Sequence, residues 1–190
     1  EFDEERELQY QTIWNFSNLF AFEKEIEFIT DFLMKNQDII HNLIRHLTSH
    51  HLDSEFISLV FLCLGNISGK SEETKNLLLK SNIVTHTLNV FEKIERPIST
   101  LSESIWLIST LTRKGQDFYE DLRRFLPLLR NALLFENPCL YEDILWSLAY
   151  LSDGEDDQVK DILSLGITSK IISFATNCRK ELKIPAVRTL

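Results

Sequence analysis

Four stretches of the chain repeat one pattern of apolar and polar positions: TIWNFSNL (12–19), VFLCLGNI (60–67), SIWLISTL (104–111) and ILWSLAYL (144–151). Each sets a large apolar residue four positions before a polar or aromatic one, in the pairs Trp14/Asn18, Leu62/Asn66, Trp106/Thr110 and Trp146/Tyr150. That spacing stacks the two side chains one turn apart on a single helix face. Two residues beyond each anchor, Phe16, Leu64, Ile108 and Leu148 are rotated by about 200° and are expected to enter the core. A polar break follows each of the last three stretches: SGKSEE (68–73), RKGQD (113–117) and SDGEDD (152–157). Gly69, Gly115 and Gly154 in these breaks are expected to supply the left-handed residue that ends a helix. A short helix then precedes a longer amphipathic one, TKNLLLKS before IVTHTLNVFEKI and DQVKDILSLG before ITSKIISFATN. Pro97 and Pro138, and more loosely Pro185, mark entry into the next anchor helix.

The anchors advance by 48, 44 and 40 residues, and AVRTL places Arg188 a further 42 along. Repeats of about 40–47 residues are armadillo or HEAT units, and three helices per unit favour armadillo. The expected fold is all-α, a right-handed superhelical solenoid of about thirteen helices without a sheet. One armadillo-repeat domain (1–190) divides into repeats at about 1–20 (partial), 21–69, 70–114, 115–153 and 154–190 (partial). A single repeat cannot bury its own apolar face. Neighbours therefore stack, with the third helices side by side, roughly parallel, along a concave surface. Both ends read as cut: Glu1-Phe2 resembles a cloning scar, and PAVRTL stops within a helical pattern that has no terminating residue.

Composition narrows the function. Only 5 Gly and 4 Pro in 190 residues leave few turns, consistent with helices. A net charge of −9 argues against a phosphate-binding face and suits a basic partner. No apolar run reaches the roughly 18 residues of a membrane span. Cys63, Cys139 and Cys178 are odd in number and far apart, and are expected to be buried thiols. His46 and His50 are spaced as a metal pair, but no further ligand accompanies them and solvated histidines explain them better. The acidic runs DEERE (3–7) and EDD (155–157) suit either a basic ligand or helix N-termini. No phosphate loop, nucleophile elbow or zinc spacing is present, so no catalytic residue, metal or cofactor is assigned and the chain is read as a non-enzyme.

The anchors themselves carry chemistry. Amides repeated on successive helices offer donors and acceptors to the backbone of an extended peptide. Neighbouring indoles form slots for the stems of Lys or Arg, with cation–π attraction of about 0.5–2 kcal/mol each. A lone Trp on a helix is usually core, but all three Trp of this chain recur in one repeat phase.

On the strings LQYQTIWNFSNL, FLCLGNISGKSEETKNLLL, SIWLISTLTR, LWSLAYLSDGEDD and IPAVR, the chain resembles the importin-α (karyopherin-α) adaptors of nuclear import. The resemblance spans nearly the whole chain and includes irregular positions, with Tyr150 at a ladder Asn and Arg188 at a Trp. It implies the second to fifth repeats and the start of the sixth, the region of the major groove for nuclear localisation signals. It further implies that Trp14, Asn18, Asn66, Trp106, Asp143 and Trp146 line the groove, that Tyr150 takes a ladder position, and that Asp153 and Arg188 lie at the edge. Implied partners are basic signal segments of cargo and, through a segment before residue 1, a receptor of the importin-β type. Neither nucleic acid nor membrane is implied, and the location is a shuttling one between cytoplasm and nucleus. Three departures stand out: Leu62 replaces a slot Trp, Thr110 a ladder Asn, and Lys70 an Asp that pairs with the key lysine of the signal. Glu72, Glu73 or Glu103 would compensate for Lys70 if the loop aimed them inward. The alternative is an armadillo scaffold whose groove has drifted to a different protein partner.

Overall fold

The computed structural model describes residues 2–22, 24–48, 53–93 and 97–190. Among these residues there is no strand, and thirteen α-helices account for most of the chain. They are α1 (Phe2–Ala21), α2 (Ile26–Lys35), α3 (Gln37–His46), α4 (Ser54–Ser68), α5 (Glu72–Lys80), α6 (Ile83–Lys93) and α7 (Ile98–Thr112), then α8 (Tyr119–Leu122), α9 (Leu126–Leu134), α10 (Tyr141–Leu151), α11 (Asp156–Ser164), α12 (Thr168–Asn177) and α13 (Lys180–Thr189). Short 3₁₀ turns flank α8 and open α10. The four anchor stretches lie on α1, α4, α7 and α10, and Arg188 on α13.

The chain forms two compact units, Glu1–Leu107 and Ile108–Leu190, with the division inside α7. In the first, α1 and α4 run parallel and are tied at both ends. Asp53 caps α4, its Oδ1 accepting from the Phe56 amide at 2.7 Å, and its other oxygen pairs with Arg6 of α1. At the far end, the Asn66 amide donates to the carbonyl and hydroxyl of Ser17, each at 3.2 Å. The α7 side is joined through Thr100, whose hydroxyl is 3.0 Å from both Ser58 Oγ and the Ser54 carbonyl. Phe20 of α1, Phe61, Leu64 and Ile67 of α4 and Leu78 of α5 are fully buried. Each such large apolar side chain contributes about 1.5–3 kcal/mol to the stability of the unit.

In the second unit α10 packs against α9 and α13, burying Phe125, Leu129, Ile144 and Leu148. Tyr141 meets Phe174 of α12 edge-on at 4.8 Å. The Tyr119 hydroxyl of α8 donates to Asp161 of α11 at 2.7 Å, and Arg123, in the 3₁₀ turn after α8, pairs with the same carboxylate at 3.2 Å. Burial, together with that bond, raises the Tyr119 phenol above its ordinary value.

Helix termination differs from the expectation. Gly69 and Gly115 have negative φ (−74° and −97°), and Gly154 is not among the left-handed residues. The left-handed positions are Asn82, Lys114, Glu136 and Gly166, each two residues past the end of α5, α7, α9 or α11. The left-handed position follows these four helices, in two cases on a long charged residue, at about 1–2 kcal/mol relative to glycine, whereas α4 and α10 end on right-handed residues. Pro185 lies inside α13 and not at its entry. Of the three thiols only Cys63 is buried. Cys139 is exposed in the turn before α10, and Cys178 closes α12 half-buried. Glu4, Glu5 and Glu7 are solvated on the first turns of α1, and Asp156 and Asp157 fill the first turn of α11, which suits the helix-terminus reading.

Candidate functional site: exposed faces of the anchor helices

Leu64, Ile108 and Leu148 are fully buried, which turns the opposite faces of α4, α7 and α10 outward. Phe16 departs from this: it is half-buried, and Ile13, Ser17 and Phe20 carry the buried stripe of α1 instead. Trp14 is 45% exposed and Trp106 37%, while Trp146 is half-buried.

In the first unit, Trp14 and Asn18 stand on the exposed face of α1. Asn66 reaches from α4 to Ser17, next to Asn18 in sequence, so its NH₂ group already holds a partner inside the scaffold. Leu62 is half-buried on α4. The Trp106 indole lies across the α4 backbone at Gly65: a Cβ there would be 2.5 Å from Cδ1 and 2.6 Å from Nε1. Gly65 is therefore a supporting residue that the anchor pattern did not single out. Its signal was a glycine inside the apolar stretch VFLCLGNI, which marks close approach of another element. Lys70 is half-buried, and its ammonium donates to the Phe22 carbonyl, just past the end of α1, at 2.7 Å. Glu73 lies in the first turn of α5. Its carboxylate is held below the usual range by its own backbone N–H and the Ser71 hydroxyl at the start of α5.

In the second unit four of the expected residues form one connected cluster. Trp146 stacks on Tyr150 (5.5 Å, 22° between planes), the Arg188 guanidinium lies 5.6 Å from the Tyr150 ring centre, and Arg188 donates to Asp153 at 2.7 Å. Asp143 is on the same helix but outside this cluster, accepting from the Ser109 hydroxyl at 3.3 Å. Burial raises its carboxyl above the ordinary value, Ser109 opposes this, and Glu142 adds to it. Thr110 is half-buried near the end of α7.

No group of three or more metal-ligating side chains occurs among the described residues. His46 packs edge-on against Phe56 at 5.3 Å, its basicity lowered by burial and then by Arg45, and His50 lies outside the described residues. Among the described residues, no helix is long and apolar enough to cross a membrane.

No family model matches the chain. It is 27% identical over 128 residues to importin subunit alpha-1b of Oryza sativa subsp. japonica, covering 67% of this chain and 24% of that protein. It is 28% identical over 142 residues to the probable importin subunit alpha-A of Dictyostelium discoideum, covering 67% and 26%, and 26% identical over 112 residues to importin subunit alpha-2 of Arabidopsis thaliana, covering 58% and 21%. The chain is importin-α-like. It spans about a quarter of the length of the curated relatives it matches. Among solved structures, it is similar to computationally designed armadillo repeat proteins for modular peptide recognition, with a TM-score of 0.82 at 14% identity, covering 97% of this chain and 74% of that one. A designed armadillo repeat protein in complex with the peptide (KR)4 gives a TM-score of 0.78 at 16% identity, with the same coverage. These likenesses assign the armadillo fold to the importin-α-like chain.

Proposed function

We propose that this chain is a protein-binding adaptor that holds basic segments on its anchor helices, α1, α4 and α7 in the first unit and α10 in the second, and that these segments are nuclear localisation signals of cargo. The observation that carries the reading is the exposure of Trp14, Asn18 and Trp106, with Trp146 and Tyr150 half-buried at the same repeat phase, on a chain of net charge −9. Indoles accept the stems of basic side chains, and Asp143 offers charge to a basic head, whereas Asp153 is already paired with Arg188. In this reading Asn66 supports the face from within, Arg188 closes its edge, and the repeats divide near residues 21, 70, 115 and 154. A receptor of the importin-β type would join through a segment outside the chain, and the protein would shuttle between cytoplasm and nucleus. No reaction is assigned to it.

The test is a fluorescence-polarisation titration with the peptide (KR)4 and an uncharged peptide of equal length, at low and high salt. Binding of the basic peptide alone, weakened by salt and by Trp146→Ala, is the expected result. Equal binding of both peptides, or of neither, would overturn the reading. A second reading, an armadillo scaffold adapted to a different protein partner, is favoured by Lys70, Leu62 and Thr110.

A further inference from the structure

The C-terminal end of a helix leaves four carbonyls without intrahelical donors, and its dipole places partial negative charge there. Such an end is a natural seat for an ammonium group. At the end of α1 that seat is already taken. Lys70, 48 residues away in sequence, donates to the Phe22 carbonyl at 2.7 Å. One turn earlier, Asn66 donates to the Ser17 carbonyl and hydroxyl. The cation and amide that a bound segment would bring to this end of α1 are both supplied by α4 and the turn after it.

The turn that carries Lys70 is firmly held. The Gly69 amide bonds the Gly65 carbonyl at 3.0 Å, and the Lys70 amide bonds the Ile67 carbonyl at 3.2 Å. Ser71 and Thr74 form a reciprocal capping box at the start of α5, and the Thr74 hydroxyl returns to the Ile67 carbonyl at 2.8 Å. The lysine is thus aimed by its backbone and is not a freely swinging surface side chain. A second cation brought to the same place meets like charge at short range and finds its acceptor occupied.

We infer that Lys70 is a built-in occupant of one cation subsite, so that the segment this chain binds carries no lysine or arginine at the position facing the α1–α4 end. The inference rests on the basic-peptide reading above and refines it: the preferred ligand is a basic segment interrupted at one position by an uncharged or acidic residue.

The experiment is an alanine scan of one Lys-rich peptide against the unmodified chain, Lys70→Arg and Lys70→Ala. For the unmodified chain and Lys70→Arg, one peptide position is expected at which Lys→Ala leaves affinity unchanged or improves it. In Lys70→Ala that same replacement should weaken binding at least about fivefold, while the other positions keep their ranking. Circular dichroism checks that α1 persists. If Lys70→Ala does not fold, Lys70→Met, which keeps the length of the side chain but neither its charge nor its donor to the Phe22 carbonyl, takes its place with the same expectation. Identical scans in all variants would overturn the inference while leaving the basic-peptide reading intact. Binding of no basic peptide by any variant would overturn both.

Discussion

The Trp106 indole occupies the space that a side chain on Gly65 would need, with the built Cβ position 2.5 Å from Cδ1 and 2.6 Å from Nε1. A helix-interior Gly costs about 1 kcal/mol relative to Ala, so the substitution Gly65→Ala strengthens α4 and evicts the indole at once. Because Trp106 is 37% exposed, it moves outward and does not compress the core. Net stability is expected to change by less than about 1 kcal/mol. Trp106 emission in a Trp14→Phe, Trp146→Phe background should shift to the red, and basic-peptide affinity should fall. An unchanged emission would show that the indole does not rest on Gly65.

Asp53 serves two helices, capping α4 with one oxygen and pairing with Arg6 of α1 through the other. Asn caps about as well as Asp, so Asp53→Asn removes the exposed ion pair alone, at about 0.2–1 kcal/mol. Asp53→Ala removes the cap as well and should cost about 1 kcal/mol more. Urea unfolding of the two variants measures the difference. Equal losses would mean that the cap contributes nothing.

Glu136 adopts a left-handed backbone (φ 59°) after α9, with its side chain 81% exposed and Lys170 3.7 Å away. Glycine adopts that conformation without a Cβ penalty. After the loss of a weak surface pair and the greater freedom of glycine in the unfolded chain, Glu136→Gly should still stabilise by about 0.5–1 kcal/mol. A lower thermal midpoint for the variant would contradict this.

Lys70→Asp replaces like charge by opposite charge in the turn after α4. Basic-peptide affinity is expected to rise by about 5- to 150-fold, and the gain should shrink with added salt. Calorimetric titration of both proteins at two salt concentrations decides it. An affinity that does not rise would count against a cation at residue 70 opposing the peptide.

Asp143 gives the pH dependence. Its folded carboxyl titrates above the ordinary 3.8, so the folded protein keeps a proton that the unfolded chain has already released. This contribution to stability is greatest below 3.8 and is lost as pH rises to the raised value. Asp143→Asn should therefore be more stable than the unmodified chain at neutral pH and show no such advantage in acid. A cationic ligand at Asp143 expels the proton, so peptide affinity should climb over the same interval. Urea midpoints and affinities at acid and neutral pH, for both proteins, test each sign.

Much of this was legible because helical repeats write their geometry into the spacing of residues. Trp14, Trp106 and Trp146 share a phase, and Leu64, Ile108 and Leu148 oppose the outward face, as a rotation of about 200° demands. The ties between helices were not legible. Arg6 with Asp53 and Lys70 with Phe22 are 47 and 48 residues apart, and nothing local marks them as partners. The left-handed caps were misplaced because a glycine is the usual sign of one, whereas here Lys114 and Glu136, which carry no such sign, adopt that conformation. Phe16 shows a further limit: the buried stripe of α1 is carried by Ile13, Ser17 and Phe20, so a face assigned from one residue pair was rotated slightly from the observed one.

The unequal burial of the three thiols makes the protein its own labelling clock. Cys139 is exposed and Cys178 half-buried, both in the second unit, whereas Cys63 lies wholly inside α4 with burial pushing its thiol up to about 12. Only a thiolate attacks an alkylating reagent, so Cys63 is silent until its helix opens. With opening fast relative to alkylation, the Cys63 rate divided by that of an unfolded peptide is the opening equilibrium of the first unit. Mass spectrometry of timed samples would read that equilibrium at a single helix, in native buffer and without denaturant.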